Sequence, residues 1–200
     1  MNRIRINDKI SYIEASDSPL SADIGIIKDN GSTWLYDVGN GEKSIYGLDG
    51  SYHVVLSHFH PDHTGNINRV RTGSIYVSRE TYAHIQCGTV VNDDLYIGSL
   101  HIFPLPSSHT KGSLGLEVDG EYAFIGDALY SKVKDGYYIY NAQLLKDEIE
   151  VLSTLQAPNL LVSHFKGLVR EKIAVIDELR AIYGMRGKNT SEIRVRIGAD

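Results

Sequence analysis

The sequence predicts a mixed α and β fold (α+β) built as two similar halves, and three observations carry that prediction. The first is a pair of hairpin signals: Ile24-Gly25-Ile26-Ile27 and Thr33-Trp34-Leu35-Tyr36 flank Asp29-Asn30-Gly31, while Leu114-Gly115-Leu116-Glu117-Val118 and Tyr122-Ala123-Phe124-Ile125 flank Asp119-Gly120. Asn-Gly and Asp-Gly reach positive φ with little strain, which suits the tight turn of a two-stranded hairpin. The second is that each hairpin runs out into an aspartate, Asp37 in one and Asp127 in the other. The third is helical spacing in the second half, where Leu145, Ile149 and Leu152, and again Val175, Leu179 and Ile182, follow i, i+4, i+7. Such stripes cover the outer face of a sheet. The two sheets are expected to pack face to face.

The remaining elements follow in chain order. Arg3-Ile4-Arg5-Ile6 alternates as a half-buried strand does, and Val54-Val55-Leu56 is an apolar strand core. A short helix is expected from about Thr64 and another over residues 79–86. Asn141 is placed to cap the helix containing Leu145, and Gly184 to stop the helix containing Val175. After a loop over residues 184–191, Glu192-Ile193-Arg194-Val195-Arg196-Ile197 alternates like its N-terminal twin. Outward arginines on edge strands oppose random pairing, which explains both segments better than a dimer contact does.

Composition limits the function classes. With 200 residues, 42% of them hydrophobic, the chain can bury a substantial core as one domain over residues 1–200. The single cysteine, Cys87, excludes an intrachain disulfide framework. A formal net charge of −5 gives no general attraction to nucleic acid, so the expected partner is a small-molecule substrate, with the chain a monomer or homodimer. Charges interrupt the start, and no segment has the apolar length of a signal peptide or membrane span, so the expected location is the cytoplasm.

The chemistry lies in the histidines. Five of the eight fall into Ser57-His58-Phe59-His60-Pro61-Asp62-His63-Thr64-Gly65, Ser108-His109-Thr110 and Ser163-His164-Phe165, with Gly126-Asp127 between the last two. His58 and His60 sit two apart after an apolar run, so in extended backbone they point the same way and can share an ion. Asp62 and His63 follow in a turn directed by Pro61 and can face a second ion. Imidazole and carboxylate suit zinc, iron, manganese or cobalt, and the lack of thiolate argues against a structural zinc cage. His53, His84 and His101 read as surface or packed residues.

These motifs resemble the metallo-β-lactamase superfamily. The pattern H-x-H-x-D-H stands as His58, His60, Asp62 and His63, the later single histidines as His109 and His164, and the bridging aspartate as Asp127; Asp37-Val38-Gly39 resembles the family's D-x-G turn. The resemblance implies a four-layer αββα sandwich and two divalent metal ions, zinc first, with iron or manganese possible. One ion would sit on His58, His60 and His109, the other on Asp62, His63 and His164, with Asp127 and a water or hydroxide between them. Asp37 would support the metal loop by hydrogen bonds. The implied activity is that of a binuclear metallohydrolase of glyoxalase II-like type. Its bridging hydroxide would attack a carbonyl, and Asp62 would be the catalytic residue that orients or shuttles the proton.

A small thioester or related acyl ester is the expected substrate. In the family an aspartate at the position of Asp127 marks the thioesterase, lactonase and phosphodiesterase branches, whereas β-lactamases typically lack it. No basic, Gly-Pro-rich tRNA-binding arm is present, and His60 excludes the pattern of the iron flavoproteins. Only residues 165–200 follow His164, too few for the C-terminal helical region of a typical glyoxalase II. The alternatives are a lactonase or phosphodiesterase, a mononuclear iron persulfide dioxygenase, or a metal-binding scaffold without catalysis. Residues 128–140 are the expected pocket wall, with Tyr138, Tyr140 and Lys166 as substrate-binding candidates.

Overall fold

The computed structural model describes residues 3–198, so Met1 and Asn2, the first residues of the charged start, lie outside it. The first half runs β1 (Arg3–Arg5), β2 (Ile10–Ile13), a short hairpin β3 (Ser16–Asp17) and β4 (Leu20–Ser21), β5 (Ile24–Asp29), β6 (Ser32–Tyr36), β7 (Tyr52–Val55), α1 (Pro61–Thr64), β8 (Thr72–Val77), α2 (Arg79–Ile85) and β9 (Thr89–Val90). The second runs β10 (Leu95–Ile97), β11 (Leu100–Leu105), β12 (Ser113–Val118), β13 (Tyr122–Gly126), β14 (Lys132–Lys134), β15 (Tyr137–Asn141), α3 (Ala142–Thr154), β16 (Asn159–Val162), β17 (Val169–Glu171), α4 (Lys172–Gly184) and β18 (Glu192–Arg196). One sheet has the order β1-β2-β5-β6-β7-β8-β9 and the other β10-β11-β12-β13-β16-β17. In both, an antiparallel hairpin is followed by a parallel neighbour, β7 beside β6 and β16 beside β13.

Side-chain alternation builds the layers. Trp34 and Tyr36 point between the sheets with Ile27, Val55, Ile102, Leu116, Phe124 and Leu161, forming the central core. Leu35, Ile26, Val54 and Leu56 point the other way, where Ile67 and Val70 after α1 and Ile85 of α2 cover them. On the far side Phe103, Ala123, Ile125, Leu160 and Val162 meet Leu145, Ile149 and Leu152 of α3 and Val175 and Leu179 of α4. Helix, sheet, sheet and helix give the four-layer αββα sandwich. Each fully buried leucine or isoleucine of α3 contributes about 1.5–3 kcal/mol. Asn141 caps α3, its side-chain oxygen accepting from the N–H groups of Gln143 and Leu144, and Gly184 is the last residue of α4.

One expectation is corrected, and a small sheet is added to what the sequence predicts. The first short helix begins at Pro61 rather than near Thr64, because extended His60 serves as the cap and Pro61 occupies the first helical position, where its missing N–H costs nothing. Asp62 and His63 therefore project from a helical turn. Within the segment expected as a pocket wall, residues 132–134 and 137–141 form two strands of a separate sheet, β14-β15-β18. Asp135-Gly136 turns between them with φ of 52° and 79°, the same Asp-Gly signal that marked the second large hairpin. The arginine-bearing strands β1 and β18 each lie at a sheet edge.

The sandwich ends differ. At the hairpin-turn end, Lys9 Nζ reaches Asp29 at 3.0 Å and Asp119 at 2.8 Å, tying both turns together with Ser99, whose hydroxyl accepts from it at 2.7 Å. At the opposite end the strands deliver Asp37, the Ser57 loop, Asp127 and His164. There Tyr36 donates its hydroxyl to the Leu114 carbonyl at 2.7 Å, and the Leu114 N–H donates to the Ser57 carbonyl at 2.8 Å. Gly126 has φ of 54°, and a Cβ there would come within 2.8 Å of Ser57 Cβ, so glycine allows the halves to close at this edge. Among the described residues no helix is long and apolar enough to cross a membrane.

Candidate metal centre

Four stretches of chain meet at this edge. His58, His60 and His109 form one group of donors and Asp62, His63, Asp127 and His164 another, the donor atoms within each group lying within 4.8 Å of one another. In the first, His58 Nε2 stands 2.8 Å and His109 Nε2 3.1 Å from His60 Nδ1. Burial, and then the neighbouring histidines His63, His60 and His109, hold His58 far below the usual imidazole range; burial likewise lowers His60 and His109. Three neutral rings with converging lone pairs are what a cation needs.

The second group carries the carboxylates. His164 Nε2 is 3.1 Å and His63 Nε2 3.6 Å from Asp62 Oδ2. Asp127 spans both groups, with Oδ2 3.3 Å from His63 Nε2 and 3.3 Å from His109 Nε2. His63 Nε2 and Asp127 Oδ1 are nevertheless buried without a hydrogen-bond partner. Buried polar atoms are rarely left so, and a bound ion is one standard explanation. Burial opposes charge on His63, but Asp37 and Asp127 push its imidazole up to about 10. Burial also raises Asp62, yet the hydrogen bond from His164 brings its carboxyl below the usual range. The donor set, its two buried unpartnered atoms and its net need for positive charge fit divalent metal.

The support around the donors is specific. Asp37, fully buried in the left-handed region at φ 62°, accepts the Ser57 N–H at 2.7 Å, the Ser57 hydroxyl at 2.8 Å and His63 Nδ1–H at 2.7 Å. An aspartate tolerates that backbone better than most residues. With Nδ1 engaged, His63 turns Nε2 toward the centre. Ser107 fixes the next loop, accepting the His109 N–H at 3.0 Å and donating to the Ala128 carbonyl at 2.8 Å. His164 lies at φ 60°, and Asp23 accepts its N–H at 2.8 Å while Tyr130 donates to the Ser163 carbonyl at 2.8 Å.

The supporting roles of Asp23 and Ser57 have no signal in the sequence, and Tyr130, which lies in the segment expected as a pocket wall, supports the Ser163 carbonyl. A carboxylate just before β5 and a serine before His58, His109 and His164 carry no periodic or motif signal of their own; only the tertiary fold brings Asp23 to residue 164. Tyr138 and Tyr140, expected to bind substrate, occupy β15, with Tyr140 buried at 8% exposure among residues of α3 and α4. Lys166 is exposed on the loop after His164. None of these three is among the donors brought together here. His53 packs against Trp34 with its Nδ1 buried and unpartnered, His84 packs against Phe59, and His101 lies between Asp94 and Glu117; none of the three joins the donor groups.

No family model matches the chain, and no curated protein matches its sequence. Solved structures do. The chain is similar to a B3 metallo-β-lactamase with an active-site glutamic acid, at 14% identity over 93% of this chain and 90% of that one, with a TM-score of 0.69. It is similar to the DIM-1 metallo-β-lactamase at 13% identity, covering 92% and 96% of the two chains, with a TM-score of 0.68. It is also similar to the chemotaxis sensor ODP, solved as a peroxy diiron species, at 15% identity, 90% and 94% coverage and a TM-score of 0.67. Coverage this complete at these scores is agreement in fold.

Proposed function

Because the chain has the metallo-β-lactamase fold, we propose that it is a metal-dependent hydrolase acting on a small thioester or related acyl ester. One observation carries the reading: two donor groups, joined by Asp127, enclose the unpartnered His63 Nε2 and Asp127 Oδ1. His58, His60 and His109 would hold one ion and Asp62, His63 and His164 the other, with Asp127 reaching both. Zinc suits the set, and iron or manganese is compatible with it. Divalent ions there supply Lewis acidity and, by lowering the pKa of water toward roughly 7, a nucleophile at neutral pH.

The chain's own residues do the rest. The Asp62 side chain is 14% exposed against 8% for Asp127, so of the two carboxylates it is the better placed to meet a proton arriving from or leaving toward solvent. Asp37 and Ser57 keep His58 and His63 aimed, and Asp23 holds the backbone of His164. Burial, then Asp127 nearby, pushes the Tyr130 hydroxyl up to about 12, so it stays neutral and serves as a hydrogen-bond donor to the His164 turn. Cys87 packs with the outer core of the first sheet and is no nucleophile here.

The β-lactam names belong to the neighbours; at 13–15% identity they carry no substrate to this chain. Tyr138, Tyr140 and Lys166 are kept as specificity candidates. The likeness to ODP favours a second reading, an iron centre that handles oxygen, since the same donors accept iron. To separate these, the purified chain is loaded with zinc, iron or manganese and offered thioesters, lactones, phosphodiesters, a β-lactam and a persulfide with oxygen. Two ions per chain and chelator-sensitive thioester turnover are expected. Oxygen consumption by the iron form alone, phosphodiester cleavage without acyl turnover, or metal binding with no turnover would each replace this reading.

A further inference from the structure

The small sheet β14-β15-β18 carries a charge pattern that the candidate centre does not use. Its register pairs Lys132 with Ile139 and Ile139 with Arg194, and then Lys134 with Tyr137 and Tyr137 with Arg196. Directly paired residues, and residues two apart, share a face. Lys132, Lys134, Arg194 and Arg196 therefore stand on one side. This side faces solvent, since all four cations are exposed; on the other face Tyr140 and Ile193 are buried against α3 and α4, while Val133 and Tyr138 toward the free end are exposed. Arg194 lies over the Tyr137 ring, 4.9 Å from its centroid, as neighbours on one face must.

Among the described residues little on that face opposes the charge. The surface ion pairs among the described residues lie elsewhere, as Arg69–Glu42, Lys146–Glu150, Arg170–Glu178 and Arg180–Asp177. Glu192, paired with Asn141 at the end of the face, is the one acid in these three strands, and Asp135 sits in the connecting turn. In a chain of net charge −5, four cations against one acid is a local reversal of sign. The face also adjoins the donors. The Asn141 N–H at the end of β15 donates to the Ser108 hydroxyl oxygen at 3.0 Å, next to His109, and β14 begins just beyond Tyr130, whose ring lies 6.4 Å from that of His109.

Two rows of cations lie about 7 Å apart along the strands and the outer strands about 10 Å apart. That footprint matches a di- or triphosphate-sized group; a nucleic-acid strand needs a longer stripe to hold several backbone phosphates. We propose that this face holds the phosphate-bearing tail of the substrate, so that the acyl group is delivered to the centre on a phosphorylated thiol carrier. The inference rests on the hydrolase reading above and names its substrate class. Lys132 and Arg194, in the row nearer the donors, are its main contacts, with Lys134 and Arg196 extending it.

The test compares coenzyme A with pantetheine, a related thiol without phosphates, on the metal-loaded full chain. Coenzyme A should bind at least about tenfold more tightly at low ionic strength by calorimetry, with the gap closing as salt screens the exposed charges. The double substitution Lys132→Ala with Arg194→Ala should lower the ratio of kcat/KM for acetyl-coenzyme A over S-acetylpantetheine by about tenfold. Lys134→Glu with Arg196→Glu should do the same if the first pair disturbs β14. Equal binding of the two thiols, or a ratio indifferent to both variants, overturns the proposal while leaving thioester hydrolysis intact. Pyrophosphate binding that both variants abolish, in a chain that turns over no thioester, keeps the anion face and removes the hydrolase reading instead. Tighter binding of an RNA oligonucleotide than of coenzyme A at this face overturns the small-molecule assignment.

Discussion

Val54-Val55-Leu56-Ser57-His58-Phe59 closes β7 and Leu160-Leu161-Val162-Ser163-His164-Phe165 closes β16, each beside a hairpin strand that runs out into an aspartate, yet the two serines answer to different acids. In the first half Asp37 turns inward and holds Ser57 and His63 through three hydrogen bonds. In the second, the Ser163 N–H goes to the Gly126 carbonyl at 3.0 Å, and Asp127 is left with Oδ1 unpartnered and Oδ2 facing two histidines. Ser163 and His164 are served by Asp23, which belongs to the other half. One structural plan thus yields a supporting aspartate in one copy and a free one in the other. The second copy needs a residue of the first to replace the support it lacks, so neither half holds a complete centre.

The largest effect expected from this comparison separates the two aspartates. Asp37→Ala removes a buried acceptor from three donors, one of them a charged imidazole, and should cost about 3–5 kcal/mol in denaturant unfolding of the metal-free chain. Asp127→Ala should change that metal-free stability by about 1 kcal/mol or less, since half of its carboxylate has no partner, while sharply reducing the metal retained. Equal destabilisation by the two would mean that both are supports.

The same contrast explains what the sequence could and could not reveal. Asp29-Asn30-Gly31, Asp119-Gly120 and the i, i+4, i+7 stripes announce the hairpins and outer helices because they depend on neighbours a few residues away. The donors were legible for a similar reason: His58, His60, Asp62 and His63 fall within six residues, and their spacing is itself the chemistry. Asp23 was not, because its value lies in reaching His164 across 141 positions. The small sheet is only half legible: Asp135-Gly136 marks a turn, but the short flanking strands Lys132–Lys134 and Tyr137–Asn141 mix tyrosines and lysines without a clear apolar face. Its third strand, β18, joins from the far end of the sequence.

A pH comparison of the halves must first silence an acid that belongs to neither turn. Glu148 of α3 is 1% exposed, its Oε1 has no partner, and burial holds its carboxyl well above the ordinary value of 4.5. The folded chain therefore keeps a proton that the unfolded chain releases. Its contribution to stability is full below about pH 4.5 and declines as pH rises toward the folded value, by up to about 1.4 kcal/mol per pH unit. Glu148→Gln should raise stability at pH 7 and flatten that decline. An unchanged pH profile would show that the carboxyl is ionised in the folded chain.

The cross-half latch predicts a smaller and more selective change. Asp23→Ala leaves the His164 N–H without its acceptor at a residue whose φ of 60° needs outside support. Affinity for the ion held by Asp62, His63 and His164 should fall about 10–100-fold, with the His58, His60 and His109 ion retained. Stepwise removal of metal by a competing chelator reads both. Parallel weakening of the two ions would place Asp23 in general support of the edge.

The serines give the finest discrimination. Ser57 donates to the Asp37 carboxylate at 2.8 Å and lies 3.0 Å from His58 Nδ1 and 3.2 Å from His63 Nδ1, all in full burial. Ser163 accepts the Asp23 N–H at 3.2 Å and has its other contact, to Asp23 Oδ2, at 3.5 Å. A hydrogen bond to a charged group contributes about 1.5–3 kcal/mol and an ordinary one about 0.5–1.5. Ser57→Ala should therefore destabilise the chain by roughly 1 kcal/mol more than Ser163→Ala when both are unfolded metal-free in denaturant, a difference resolvable at equal m-values. A reversed order would mean that the latch through Asp23, rather than the inward turn of Asp37, is the stronger support, and that the second half organises the edge.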